Sequence, residues 1–334
     1  MLKKNNVLKT LASSREISLL MVMLLIVAII TWRNPIFLTL KNISDMLTNY
    51  STTMILALGM MLVLLIGGID ISIGATIALS GMFSALIMRD NQGVPVVVAF
   101  LMSIGVGLIC GLLIGLVIVK GKVPPIIATL GFMNIYRGLT YLMARNQWVP
   151  AYQIPTAYKE FATGRYLTFG VLNNMITVML LCYILFFFFL KYTKTGRRIY
   201  ATGSNVEAAQ FSGIDTDRIK FFAYGTMGLL SGLVGALWVS IYASAQGDMA
   251  MGIEMDVIAS CVIGGVSLSG GRGSVTGVFL GALIMAILGN ALPLVGISQF
   301  WQDGLKGLII LVAIILNVLT QRSIIANNLR RRQA

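Results

Sequence analysis

The chain has 334 residues, of which 57% are hydrophobic and 11% charged, with a mean hydropathy of +0.88. A soluble domain carries about 45–50% apolar and about 25% charged residues, so this composition excludes one and makes lipid the solvent for most of the chain. The net charge is +13 with no histidine, but the basic residues sit at the ends of apolar runs, which signals orientation in a membrane and not a nucleic-acid surface.

A helix that crosses a bilayer needs about 20 predominantly apolar residues. Apolar segments near 17–31, 48–66, 74–88, 94–119, 124–143, 171–190, 219–242, 255–270, 274–292 and 304–320 predict an all-α membrane protein of about ten transmembrane helices. Several segments are short and rich in glycine, which predicts broken or re-entrant pieces among them. Lys3, Lys4, Lys9 and Arg15 precede the first run as in a secretory signal. Thr31-Trp32-Arg33-Asn34-Pro35 follows it in place of a small-residue cleavage site, so the run reads as an uncleaved first span.

The expected organisation is a cytoplasmic segment 1–16, a transmembrane domain 17–320 and a basic cytoplasmic tail 321–334. Lys120, Lys122, Lys191, Lys194, Arg197, Arg198, Arg218, Arg272 and Arg322 then fall on one side with both termini, which the positive-inside rule makes the cytoplasm. This places the chain as a multi-pass protein of the inner membrane. The loop 144–170, with Trp148, Pro150, Tyr152, Pro155 and Tyr158, faces outward as a docking surface or a plain aromatic belt. The loop 191–218 faces the cytoplasm as a short amphipathic helical element. Cys110, Cys182 and Cys261 stand singly in apolar stretches, without the spacing of a disulfide framework or a metal site.

An internal echo links two places in the chain. Leu65-Ile66-Gly67-Gly68-Ile69-Asp70-Ile71-Ser72-Ile73-Gly74 resembles Val262-Ile263-Gly264-Gly265-Val266-Ser267-Leu268-Ser269-Gly270-Gly271, and each lies between two apolar runs. Such a pair predicts a pseudo-repeat in which Gly67, Gly68, Gly74, Gly264, Gly265, Gly270 and Gly271 break helices beside a cavity. The alternative is shared composition alone. An ionised carboxylate inside hydrocarbon costs about 2.5–3.5 kcal/mol, so Asp70 must face protein, water or an interface. It reads as a cap of the following helix, with direct contact to a solute or ion as the alternative. Asp70, Ser72, Thr129 and Asn134 are the candidate translocation-path residues, and Arg137 either joins them or snorkels to the outer surface.

The cytoplasmic loop carries Glu207-Ala208-Ala209-Gln210-Phe211-Ser212-Gly213-Ile214, which alone describes a short amphipathic helix ended by glycine. In company it is more specific. The chain from about residue 17 to 320 resembles permeases of the ribose, galactose, xylose and autoinducer class of ABC importers. The matching segments are Gly67 to Gly74, Val123-Pro124-Pro125 with Ala128-Thr129-Leu130-Gly131, Thr195 to Arg198, Tyr200 to Asn205, the Glu-Ala-Ala run, Gly252 to Asp256 and Gly264 to Ser274. The Ile-x-Leu-Pro tail of maltose-type permeases is absent, so their docking geometry does not carry over.

The resemblance implies a transport subunit that is not itself an enzyme and that works by alternating access. Its implied partners are ABC ATPase subunits, a second permease copy or paralogue, and a periplasmic or lipid-anchored solute-binding protein. Asn205, Glu207, Ala208, Ala209, Gly213 and Ile214 are the implied ATPase-coupling residues. The sequence agrees that energy comes from elsewhere: no G-x-x-x-x-G-K-[ST] occurs, so no cofactor is expected on this chain and MgATP belongs to the partner. The uncharged polar character of most candidate path residues suits a neutral sugar better than an anion. An ion-coupled secondary transporter is the alternative, but it needs intramembrane carboxylates or histidines as coupling groups, and this chain has no histidine.

Overall fold

Most helices in this chain begin at a short polar side chain that accepts from a first-turn amide, or at a proline whose fixed φ suits the entry to a helix. The computed structural model describes residues 15–296 and, beyond them, 298, 301, 304, 307, 308 and 311. Helix α1 spans Arg15–Arg33, and α2, Leu40–Leu65, starts at Thr39, whose hydroxyl accepts from Asn42 N. Helices α3 (Ile73–Asp90), α4 (Val96–Lys120) and α5 (Pro125–Met143) follow, the last two entered through Pro95 and Pro124. Helix α6 (Thr156–Thr163) precedes α7 (Asn174–Tyr192), which Asn173 caps. Helices α8 (Lys194–Ser204), α9 (Val206–Phe211) and α10 (Thr216–Tyr242) are capped in turn by Thr193, Asn205 and Asp215. Helix α11 (Ile253–Ile263) starts at Gly252, and α12 (Val275–Leu294) at Ser274.

The all-α reading is borne out: among the described residues there is no strand, only an isolated bridge between Val149 and Ala245. Among the described residues seven helices, α1 to α4, α7, α10 and α12, are long and apolar enough to cross a membrane. Helix α5 fills the expected 124–143 segment but, with Asn134 and Arg137 in it, is not among the seven. Where a span was expected at 255–270, α11 has 11 residues, about 16 Å at the α-helical rise, or half of a hydrocarbon core. The expected span 304–320, the segment 1–16 and the tail 321–334 lie almost entirely outside the described residues.

Helix α2 forms the axis of the bundle, buried on every face from Ser51 to Leu65, whereas α1 is peripheral and leaves Leu24, Leu25 and Ile29 exposed. Helix α10 packs against α4, α3 and α2. Its approach to α4 depends on glycine: a Cβ at Gly107 would lie 2.4 Å from Gly228 O, and one at Gly111 2.3 Å from Tyr224 O. Ser103 Oγ donates to Gly232 O at 2.7 Å across the same seam. In lipid, where apolar surface gains nothing by leaving the solvent, close backbone contact and such hydrogen bonds hold helices together.

The 144–170 segment is partly built into the bundle. Tyr158 is fully buried, its hydroxyl 2.9 Å from Ser84 Oγ and donating to Ala236 O at 3.2 Å. Ser240 Oγ donates to Tyr158 O at 2.6 Å and accepts from Ala162 N at 2.9 Å. Trp148, Tyr152 and Phe169 of the same segment are exposed.

Because the α4–α10 seam has no room for a side chain, Gly111→Leu is expected to destabilise the bundle by about 1–3 kcal/mol. Gly105→Leu, at a position with no atom within 4 Å of a new Cβ, is expected to leave it unchanged. Melting of both variants in detergent checks this, and equal midpoints would dismiss the seam.

Candidate functional site

The two echoed segments end their helices in the same way. At the end of α2, Gly67 takes a left-handed backbone (φ 76), Gly68 N donates to Val63 O at 2.9 Å and Gly67 N donates to Leu64 O at 2.9 Å. At the end of α11, Gly265 is left-handed (φ 94), Val266 N donates to Cys261 O at 2.9 Å and Gly265 N donates to Val262 O at 3.0 Å. Both are glycine-terminated Schellman caps, which satisfy the last helical carbonyls. The left-handed residue is the first glycine of one Gly-Gly pair and the second of the other, so the structural echo is offset by one residue from the sequence echo.

The breaks also touch. Gly271 N donates to Leu65 O at 2.9 Å, and a Cβ at Gly270 would lie 3.0 Å from Leu65 O and 3.1 Å from Gly67 N. The end of α8 closes the junction: Gly203 packs directly on Leu65 O, where no Cβ fits, and Tyr200 Oη donates to Gly273 O at 2.9 Å. Elsewhere in these segments, Gly264 rests on Gly277 of α12 and Gly74 on Ala250 O.

Beyond α8 the chain turns at Asn205 into α9. Asn205 is extended (φ −161) and its Oδ1 accepts from Ala208 N at 2.9 Å. A further Schellman cap ends α9: Gly213 is left-handed (φ 76), its N–H donates to Gln210 O at 2.9 Å, and Ile214 N donates to Ala209 O at 3.0 Å. Glu207, Ala208 and Gly213 are exposed, Ala209 is buried and Ile214 half-buried. Phe211, which the sequence reading quoted without assigning a role, is 93% exposed at the tip of α9. An aromatic residue at the end of a short helix with few other large side chains was the available signal. Lys122, Arg197, Arg198, Arg218 and Arg272 lie in or beside this region, which makes it the basic end of the molecule.

Toward the opposite end a cavity of about 1180 Å³ opens between α2, α10, α12 and the 243–252 turn. Asn49 and Tyr50 come from α2, Trp238 and Tyr242 from α10, Asp256 from α11 and Asn290 from α12. The rings of Trp238 and Tyr242 are 4.9 Å apart at 48°. Aromatic faces, amides and the carboxylates of Asp248 and Asp256, with no lysine or arginine among the described lining, suit a neutral polyhydroxylated solute. The Trp238 and Tyr242 pair, one turn apart in an apolar helix, was legible in the sequence but was not read as a site.

None of the four candidate path residues lines this cavity. Asp70 and Ser72 are buried in the segment between α2 and α3, where Asp70 Oδ1 accepts from Ser72 N at 2.9 Å and from Ser72 Oγ at 2.6 Å. Thr129 is buried on α5 and donates to Pro125 O at 3.0 Å. Asn134 lies on the exposed face of α5, its Nδ2 donating to Leu130 O at 2.9 Å. Arg137 ties α5 to the 243–252 turn, donating to Gly247 O at 2.7 Å and Met249 O at 3.0 Å.

A family model described as "Branched-chain amino acid transport system / permease component" matches residues 42–314. The chain belongs to this permease family. The permease is 39% identical to the ribose import permease protein of Bacillus subtilis (strain 168) over 294 residues, 88% of this chain and 89% of that protein. It is 36% identical to the ribose import permease protein of Escherichia coli (strain K12) over 305 residues, 89% of this chain and 92% of that one. An autoinducer 2 import system permease protein of Enterobacter sp. (strain 638) is 30% identical over 310 residues, 93% of this chain and 88% of the relative. No solved structure matches the permease. The family resemblance read from the motifs is thus borne out.

Asp70 has two testable roles. Asp70→Asn keeps the acceptor oxygen, and Asp70→Ala leaves the Ser72 donors unpaired at a cost of about 1–3 kcal/mol. A turn-holding Asp70 predicts near-native melting and uptake for Asp70→Asn and loss of both for Asp70→Ala. Native melting with failed uptake in Asp70→Asn would instead assign the carboxylate to the solute or an ion.

Proposed function

We propose that the permease forms half of the translocation path of an ATP-driven importer for a neutral monosaccharide or sugar-like polyol. The observation that carries this reading is the placement of the Glu-Ala-Ala element. Its α8 end is packed on the junction of both helix breaks, at Leu65 O and Gly271 N, while α9 presents Glu207 and Phe211 outward. A separate ATPase subunit seated on α9 therefore pushes on α8, and α8 pushes on the two interrupted helices. Asn205, Ala208, Ala209, Gly213 and Ile214 shape that contact, and MgATP is bound and hydrolysed on the partner.

The cavity between α2, α10 and α12 is the outward-facing solute compartment in this reading. Its aromatic and amide lining supports a sugar, in line with relatives named for ribose and autoinducer 2 import. Alternating access follows when the breaks rock the helices so that this compartment opens to one side at a time. The basic end faces the cytoplasm by the positive-inside rule. Both termini then lie on that side of the inner membrane, with about ten spans in all and α11 as a half-length piece. A solute-binding protein docks on the exposed aromatics of the 144–170 segment. A second permease copy or paralogue covers the exposed face of α5, where Gly131, Asn134 and Gly138 offer close backbone approach and an amide in place of a purely lipid-facing surface.

The test is co-purification of the tagged permease with the products of neighbouring genes, followed by uptake in liposomes with loaded binding protein. An ATPase that comes down with the chain and sugar uptake that requires ATP are the expected results. A chain that purifies alone and moves sugar only down an ion gradient would sink the proposal. In the working system, Gly213→Val places a β-branched residue in a left-handed conformation, at a cost of about 1–2 kcal/mol. It is expected to cut ATP-driven uptake about tenfold while affinity for loaded binding protein is unchanged.

A further inference from the structure

A second cavity, of about 580 Å³, lies at the basic end beside Gly67 and Gly68 of the first break and Ser269 of the second. Two hydroxyls that line it are anomalous. Thr202 and Tyr224 are fully buried, yet Thr202 Oγ1 and Tyr224 Oη have no hydrogen-bond partner. Threonines in these helices donate to a carbonyl one turn back, as Thr129, Thr140, Thr177 and Thr226 do, and Thr202 does not. The Tyr224 hydroxyl stands against the first break, where a Cβ at Gly68 would lie 2.4 Å from it. A buried polar group left unpaired in a folded protein marks a place where a ligand completes the hydrogen bonding.

Charge narrows the class of ligand. Lys122 and Lys220 line the cavity against the single carboxylate of Asp217, so the balance is cationic, whereas the outer cavity is lined by Asp248 and Asp256. The volume falls within the ~300–1,000 Å³ typical of small-molecule sites. We infer that this cavity is a second ligand site, for a small hydroxylated anion of the sugar-phosphate class. The phosphate pairs with Lys122 and Lys220, and ligand hydroxyls bond Thr202 and Tyr224.

The walls of the cavity belong to both breaks, the α4–α5 turn that carries Lys122, the end of α8 and the base of α10. A bound ligand bridges elements that alternating access must move apart, and so favours one state of the transporter. This regulatory consequence rests on the importer reading, whereas binding itself does not. The reaction class that supplies such a ligand is phosphoryl transfer to the imported sugar, and the phosphorylated product then slows its own supply.

The experiment titrates the full chain, in nanodiscs with whatever subunits co-purify, with ribose 5-phosphate, ribose and inorganic phosphate, by calorimetry and melting. Ribose 5-phosphate is expected to bind at least about tenfold more tightly than either of the others. Thr202→Val and Tyr224→Phe each remove an oxygen that has no partner. Unliganded melting should therefore hold or rise while affinity for ribose 5-phosphate falls about tenfold. Lys220→Gln should weaken binding by a similar factor and reduce its dependence on salt. Three results would each overturn the site: no heat or melting shift with ribose 5-phosphate, equal binding of inorganic phosphate alone, or unchanged affinity in both hydroxyl variants. In the complex with ATPase, ribose 5-phosphate is expected to inhibit turnover about tenfold less potently in Thr202→Val than in the wild type, and equal inhibition in both overturns the regulatory consequence. Absence of any ATPase from the preparation counts against the importer reading and leaves the titration to decide the site.

Discussion

Backbone amides and carbonyls released where a helix stops inside lipid must find partners within the protein, because the bilayer offers none. That constraint organises this chain. Helix α2 at Leu65 and the half-length α11 at Ile263 each close on a Schellman cap, and the carbonyl that α2 leaves over at Leu65 accepts from Gly271 of the other break. The irregular segments stabilise each other, and only glycine permits them to come so close. Gly67 and Gly265 supply left-handed backbone, and Gly270 and Gly203 leave room for neighbouring backbone.

In the proposed importer the same junction is the mechanical centre of the molecule. A rigid transmembrane helix carries displacement along its axis, but a break lets two halves move separately. In this permease the break is held by hydrogen bonds to a second break and by contact with the end of α8. Under the proposed coupling, a force applied to the short helical element at the basic end arrives at the two glycine-rich segments that join these helices. Beside the junction, glycine-to-glycine packing brings the backbones of α4 and α10 into direct contact.

The two cavities divide the electrostatics of the protein. The outer one is acidic and aromatic, and the one at the basic end is cationic with two unpaired hydroxyls. A neutral sugar is compatible with the first, and an anion is disfavoured there by Asp248 and Asp256. Phosphorylation of a sugar exchanges the compartment that accepts it, since the added charge repels one lining and attracts the other.

Much of the fold was legible from one sequence because lipid imposes a simple rule of length and apolarity, and because caps such as Thr39, Asn173, Asn205 and Ser274 stand at the helix starts. The Glu-Ala-Ala motif and the paired Gly-Gly segments were likewise visible as local patterns. The half-length of α11 was not, since an apolar run reads the same whether it crosses lipid or stops against protein. The outer cavity was missed for a related reason: Asn49, Trp238, Asp256 and Asn290 are far apart in the chain, and only packing brings them together. Composition, the all-α class, orientation signals and family motifs are local or additive properties, so the sequence alone determined them. Which glycine of each pair turns left-handed, that the two breaks meet, and which hydroxyls are left unpaired depend on distant backbone atoms, so only the tertiary structure decided them.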